Sequence, residues 1–310
     1  MREFPSCFGE YGVQVADSFA SGANRGTQNV VTCFYKSKLA GVSRMITVTW
    51  CKTLGGQGLS VNVHDTSSEC TFKLDMKPWL FWKKKGSKTL YAGELKVEVF
   101  WDLSSAKYGS GPEPIEGFYL AIASGCKISL LLGDMAEEAY KRALSSFPPV
   151  GCTDTSLISR REHVFGKTFY STRAQFRDSG RSHDILIECQ TVGKEPRLCV
   201  RVDKQLVVQV KRLMWKFRGN QTIMVDGCPV ELLWDVHNWL FNPSDNPAVF
   251  MFQTGLPSPP TRDNALGNKH NIHSSTSYYQ WHQHTVSSSS TGKCQDGYGF
   301  SLLLYAWKSE

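Results

Sequence analysis

The feature that most constrains this chain is that it repeats itself. Trp82-Lys83-Lys84-Lys85-Gly86 returns 133 positions later as Trp215-Lys216-Phe217-Arg218-Gly219. At the same offset Thr89 meets Thr222, and Val97-Glu98-Val99-Phe100-Trp101-Asp102-Leu103 meets Val230-Glu231-Leu232-Leu233-Trp234-Asp235-Val236, with no gap over 22 positions. Upstream the offset is 139: Ile46, Val48, Leu59, Val61 and Val63 fall on Ile185, Ile187, Leu198, Val200 and Val202. Downstream, Ser129-Leu130-Leu131-Leu132 matches Ser301-Leu302-Leu303-Leu304. Self-similarity of this kind makes one supersecondary unit, used twice, the first hypothesis.

The matched segments read as strands. Val30 to Tyr35, Met45 to Cys51, Leu59 to Val63, Val97 to Trp101, Phe118 to Ala123 and Lys127 to Leu132 are short runs rich in β-branched and aromatic residues. Short gaps between them call for antiparallel neighbours, because a parallel crossover needs a dozen residues or more. Asp226-Gly227 is a two-residue hairpin signal. Setting Val225 opposite Cys228 puts Arg218 opposite Asp235, and the same register in the first copy puts Lys85 opposite Asp102. On the other face Val97, Val99 and Trp101 point inward, as do Val230, Leu232 and Trp234. Trp82, Trp101, Trp215 and Trp234, with Asp102 and Asp235, are the expected structural anchors of the two copies.

The fold expected is all-β and mainly antiparallel: two tandem, pseudo-symmetric meander units, sandwiches or barrels, with one short linking helix. The 310 residues suffice for two domains, and 41% apolar against 20% charged residues is a globular composition. Residues 1–26 form an N-terminal segment expected to be partly disordered, 27–146 the first repeat with a capping helix, 147–165 a linker, and 166–310 the second repeat. The helix is expected after Asp134 as its cap, with Glu137 three later and Pro148-Pro149 as its stop, packed over the open end of the first sheet. The polar stretch 256–297 reads as a disordered insertion between two strands of repeat 2, so Gly299 to Trp307 must return as the final strand, beside Ala248 to Gln253.

Several of these runs resemble one family. Lys77-Pro78-Trp79, the segment Val97 to Lys107, Glu162-His163-Val164-Phe165-Gly166-Lys167, Trp215 to Thr222 and Gly299 to Trp307 are similar to the plant family called domain of unknown function 868. The resemblance covers nearly the whole chain. It implies a plant protein and brings with it no reaction, cofactor or catalytic residue.

Each candidate site has a structural role as its alternative. Lys83, Lys84, Lys85 and Lys88, with Lys216 and Arg218 in the second copy, could contact an anionic lipid surface. Their recurrence opposite Asp102 and Asp235 points instead to ion pairs. His270, His273, His282 and His284, near Cys294, have metal-like spacing but no carboxylate or ordered element beside them. Glu98 with Asp102, and Glu231 with Asp235, sit roughly 13 Å apart by strand rise, wider than the ~6.5–9.5 Å of an inverting glycosidase pair. His163 and His237 lack a partnering nucleophile motif, and Gly55-Gly56-Gln57-Gly58 lacks the Lys of a phosphate loop and reads as a hairpin turn. The ten cysteines form no Cys-x-x-Cys pair and read as buried, reduced thiols.

The resulting expectation is a non-enzymatic binding or adaptor protein that engages a protein partner or a small apolar ligand, without cofactor or metal. An anionic-lipid module using the basic hairpin, and an enzyme of unrecognised type, are the alternatives. Nucleic acid is set aside because the net charge of +7 is spread rather than concentrated. Neither a secretory leader nor a membrane-spanning run is apparent in the sequence, so the expected compartment is the cytoplasm, with the nucleus open.

Overall fold

The computed structural model describes residues 29–53, 56–64, 69–76, 84–125, 127–143, 155–177, 180–190, 195–241, 246–255 and 299–309. The first half holds β1 (Asn29–Leu39), β2 (Val42–Thr53), β3 (Gly56–His64), β4 (Glu69–Met76), β5 (Lys85–Ala92), β6 (Leu95–Asp102), β7 (Lys107–Tyr108), β8 (Pro114–Glu116), β9 (Tyr119–Ser124), β10 (Lys127–Gly133) and helix α1 (Ala136–Ala143). The second holds β11 (Thr155–Gly166), β12 (Phe169–Gln175), β13 (Ser182–Gln190), β14 (Arg197–Val202), β15 (Gln205–Val210), β16 (Arg218–Val225), β17 (Cys228–Asp235), helix α2 (His237–Phe241), β18 (Ala248–Gln253) and β19 (Ser301–Lys308).

These strands form a nine-stranded sheet in the order β16-β17-β18-β19-β11-β1-β2-β3-β4, two four-stranded sheets, β10-β9-β6-β5 and β12-β13-β14-β15, and the small pair β7-β8. Among the described residues no sheet closes on itself, so the expectation of barrels is corrected: β4, β16, β5, β10, β12 and β15 stand at sheet ends. The hairpin registers fall where the Asp-Gly turn puts them, with Arg218 opposite Asp235 and Lys85 opposite Asp102. Both edge strands β5 and β16 share one burial pattern, exposed for most of their length and buried only near the turn. Polar and charged side chains on such an edge discourage pairing with another chain.

Two cores result. In the first half Ile46, Val48, Leu59 and Val61 cluster with Val97, Val99, Trp101, Leu120 and Ile122. In the second Ile185, Ile187, Leu198 and Val200 cluster with Val230, Leu232, Trp234, Phe250 and Leu302. Trp101 and Trp234 are buried, each lying over the backbone of its cross-strand glycine, Gly86 or Gly219. A Cβ at Gly86 would lie 2.8 Å from Trp101 Cζ2, and one at Gly219 2.3 Å from Trp234 Cζ2. This explains why Trp-Lys-x-x-Gly precedes each hairpin: the glycine gives the indole room.

Four further expectations are corrected. Residues 155–165, placed in a linker, belong to β11, which pairs antiparallel with β1 and parallel with β19. Helix α1 covers a sheet face rather than an open end: Met135, Ala139, Tyr140 and Ala143 pack against Phe100, Tyr119 and Ala121. Asp134 does not serve as that helix's cap, because its carboxylate accepts the amides of Gly117 and Phe118 at 2.8–3.1 Å. Trp215 is 86% exposed and anchors nothing; Leu213, fully buried, holds that stretch instead. Trp82, Lys83, the histidines and Cys294 of the 256–297 segment, and residues 1–28 lie outside the described residues.

Candidate functional site

A cleft of about 480 Å³ opens at one end of the first half. Its size is within the ordinary range for small-molecule sites, roughly 300–1,000 Å³. Tyr35 of β1, Trp50 of β2, Phe118 before β9 and Leu132 of β10 supply its apolar surface. The Gly109–Glu113 connection and Pro114 complete it. The rings of Trp50 and Phe118 meet edge to face, 6.1 Å apart at 88°. That connection reads Gly109-Ser110-Gly111-Pro112-Glu113-Pro114, and its two prolines limit the backbone freedom that its two glycines add.

Among the described residues Glu113 is the one carboxylate in the lining, and it is not free. Arg160 of β11 grips it with both terminal nitrogens, Nη1 to Oε1 at 2.9 Å and Nη2 to Oε2. Arg160 Nε donates to Glu162, whose second oxygen accepts Thr172 Oγ1 at 2.6 Å. Nη1 also lies 3.4 Å from Cys33 Sγ. Burial works against the charge of Arg160, but the hydrogen bonds to Glu113 and the charge of Glu162 more than compensate and hold it protonated. Burial pushes the Cys33 thiol up to about 11 and the Tyr35 phenol up as well, so neither is ready to act as an anion. One guanidinium therefore stands against two carboxylates, leaving a net charge of about −1 behind the cleft.

Two other polar clusters stand apart from it. His183 is buried, with Nδ1 2.8 Å from Asp203 and Nε2 2.8 Å from Asp226, and Arg181 reaches both carboxylates. Asp203 and Asp226 occupy the tight turns of β14–β15 and β16–β17, which belong to different sheets, so the cluster braces the two turns together. On β11 and β19 the His163 ring stacks on Tyr305 at 4.9 Å, and Trp307 Nε1 donates to His163 Nδ1 at 3.1 Å. Burial, reinforced by Arg161, lowers the His163 pKa to about 4, as an imidazole nitrogen accepting a hydrogen bond requires.

The basic residues singled out from the sequence do not converge on one site. Lys85 pairs with Asp102 at 2.7 Å and Arg218 with Asp235 at 2.8 Å, on edge strands of two different sheets. Asp102 and Asp235 each also accept a backbone amide two residues on, from Ser104 and His237, both at 3.0 Å. Lys84, Lys88 and Lys216 are exposed. Glu98 lies 3.0 Å from Lys96 and Glu231 accepts Asn220 at 2.8 Å, so the repeated acids are engaged within their hairpins. Among the described residues no His, Cys, Asp and Glu group has metal-binding geometry, and six cysteines are free thiols, five of them buried.

Glu113, Arg160 and Cys33 were not picked out from the sequence. The available signal was the run Arg160-Arg161-Glu162 inside a strand-like segment, together with a doubly proline-flanked Glu in a glycine-rich connection. Fold and site together define a mainly antiparallel β protein with an aromatic cleft backed by a half-buried ion-pair cluster. Within that class, the family model described as a plant protein of unknown function, DUF868, matches residues 26–308, and the chain belongs to that family. No curated protein and no solved structure matches it. No helix among the described residues is long and apolar enough to cross a membrane.

Proposed function

We propose that this protein is a non-enzymatic binding protein, and that the cleft beside Trp50 and Phe118 takes a small, mainly apolar ligand with a hydrogen-bond-donating or cationic end. The observation that carries the reading is the cleft itself: aromatic walls around one carboxylate already positioned by a bidentate arginine. Apolar surface supplies the affinity and the net negative cluster orients the polar end. The thiol beside it is protonated and the carboxylate is spent on a guanidinium, which leaves no ready nucleophile or general base and favours binding over catalysis.

The finer architecture belongs to the same proposal: two copies of one sandwich, β1–β4 on β5, β6, β9 and β10, and β12–β15 on β16–β19. Matching strand orders and equal hairpin registers support it. On this reading the 103–118 connection corresponds to 236–247, where α2 buries Trp239 against Tyr170 and Phe250 with its indole N–H on Ala306 O at 3.0 Å. The second copy thus seats an indole in the region that the first copy leaves open.

The test is fluorescence titration of the full chain with N-phenyl-1-naphthylamine, an apolar amine of suitable size. Saturable one-to-one binding is expected, lost in Gly111→Trp, where a side chain enters open space without backbone strain. A linear, unsaturable response, or binding unchanged in Gly111→Trp, rejects the cleft as the site.

A further inference from the structure

The turn between β15 and β16 is built to hold an aromatic side chain in solvent. Trp215 is 86% exposed and Met214 is 42% exposed, although Leu213, which precedes them, is fully buried. The turn is fixed at three points. Leu213 N–H donates to Pro196 O at 3.1 Å, Trp215 N–H to Arg212 O at 2.9 Å, and the buried Trp234 indole donates to Lys216 O at 3.1 Å. Phe217 is wedged between His237 and Phe241 at 5.3 and 5.6 Å. Such a tip has already lost its backbone freedom, so ordering it on a partner costs little.

The segment that carries it is basic. From Lys204 to Val225 the sequence has no Asp or Glu, but it has Lys204, Lys211, Arg212, Lys216 and Arg218. Lys211, Arg212 and Lys216 are exposed beside the two apolar side chains. Arg218 is committed to Asp235 and is not needed for the argument.

We infer that the β15–β16 turn is a peripheral membrane anchor, in which Trp215 and Met214 enter the headgroup boundary of an anionic bilayer while Lys211, Arg212 and Lys216 meet its phosphates and carboxylates. A protein partner suits the turn less well. A stable protein interface buries roughly 800 Å² on each side, whereas two exposed side chains on one turn offer a fraction of that. A bilayer needs no matching surface, takes Trp at its interface and rewards each neighbouring cation. The inference does not depend on the cleft being occupied, and no residue of the cleft is involved.

The experiment is cosedimentation of the full chain with phosphatidylcholine vesicles, with and without about a third phosphatidylserine. The wild-type chain, Trp215→Ser and Lys211→Gln/Arg212→Gln/Lys216→Gln are compared, each checked for an unchanged thermal melt. Binding is expected only with phosphatidylserine present, and weaker at high salt. The triple substitution should reduce it on the order of a hundredfold, at about fivefold per cation, and Trp215→Ser on the order of tenfold. Failure of the wild-type chain to sediment, or binding by both variants equal to wild type, overturns the inference. So does a wild-type chain that ignores vesicles but self-associates through Trp215, which would make the tip a protein contact.

Discussion

Gly219→Ala tests how the hairpin is locked to its tryptophan. The added Cβ would sit 2.3, 2.8 and 2.9 Å from Trp234 Cζ2, Cη2 and Cε2, where carbon atoms need about 3.5–4.0 Å. The indole cannot retreat easily. It is buried, and its N–H holds Lys216 O at 3.1 Å. Overpacking of this kind costs ~1–3 kcal/mol, and an approach this close belongs at the top of that range. Restricting the unfolded chain returns ~0.4–1 kcal/mol. The net loss expected is therefore ~2 kcal/mol, read from the midpoint and slope of guanidinium unfolding. Gly86→Ala, with its closest approach at 2.8 Å, should lose less. In a Trp234→Leu background the Ala penalty should vanish, because the atoms it strikes are gone. A Gly219→Ala chain as stable as wild type, or the same penalty with Leu at 234, would show that the close approach is not what fixes glycine there.

Other outcomes follow from the same geometry. Trp101→Ala and Trp234→Ala should each cost ~3–5 kcal/mol in denaturant melts, whereas Trp215→Ala should stay within about 0.5 kcal/mol of wild type. His163 has its pKa lowered from 6.5 to about 4, so the unfolded chain takes up a proton that the folded chain refuses. Its contribution is present above pH 6.5 and is lost as pH falls toward 4, by at most roughly 3 kcal/mol; His163→Gln should flatten the melting temperature across that window. Ending the chain at Gly297 removes β19, with Leu302, Leu304 and Ala306 taken from the core, and should leave insoluble protein. A truncated chain that melts like wild type would make β19 dispensable.

Local signals were legible where the chain pairs with its near neighbours. Asp226-Gly227 fixed a register that carried Arg218 onto Asp235. Period-two burial put Trp101 and Trp234 inside, and the repeat required a last strand beside Ala248–Gln253. The misreadings share a cause, in that long-range partners decide the outcome. Arg160, Arg161 and Glu162 look like a solvated linker until Glu113 pairs with Arg160 and the Phe34 ring lies under Arg161 at 4.7 Å. The match of Trp215 to Trp82 says that both matched segments carry an indole there, not that either indole is buried. The cleft is invisible in sequence because its walls come from positions as far apart as Tyr35 and Leu132.

Strand β11 sets an order of events for a chain emerging from the ribosome. One of its edges is satisfied by β1, made long before it, and the other by β19, made 142 residues later, as the pairing of Ser159 with Ser301 shows. Throughout synthesis of the second half, β11 presents a row of unpaired amides and carbonyls on a largely formed sheet. Partial intermediates with open edges are prone to mispair. The nascent chain must therefore keep that edge apart from other strands until β19 arrives, and the synthesis of β19, rather than completion of the first half, is the moment the nine-stranded sheet can close its middle.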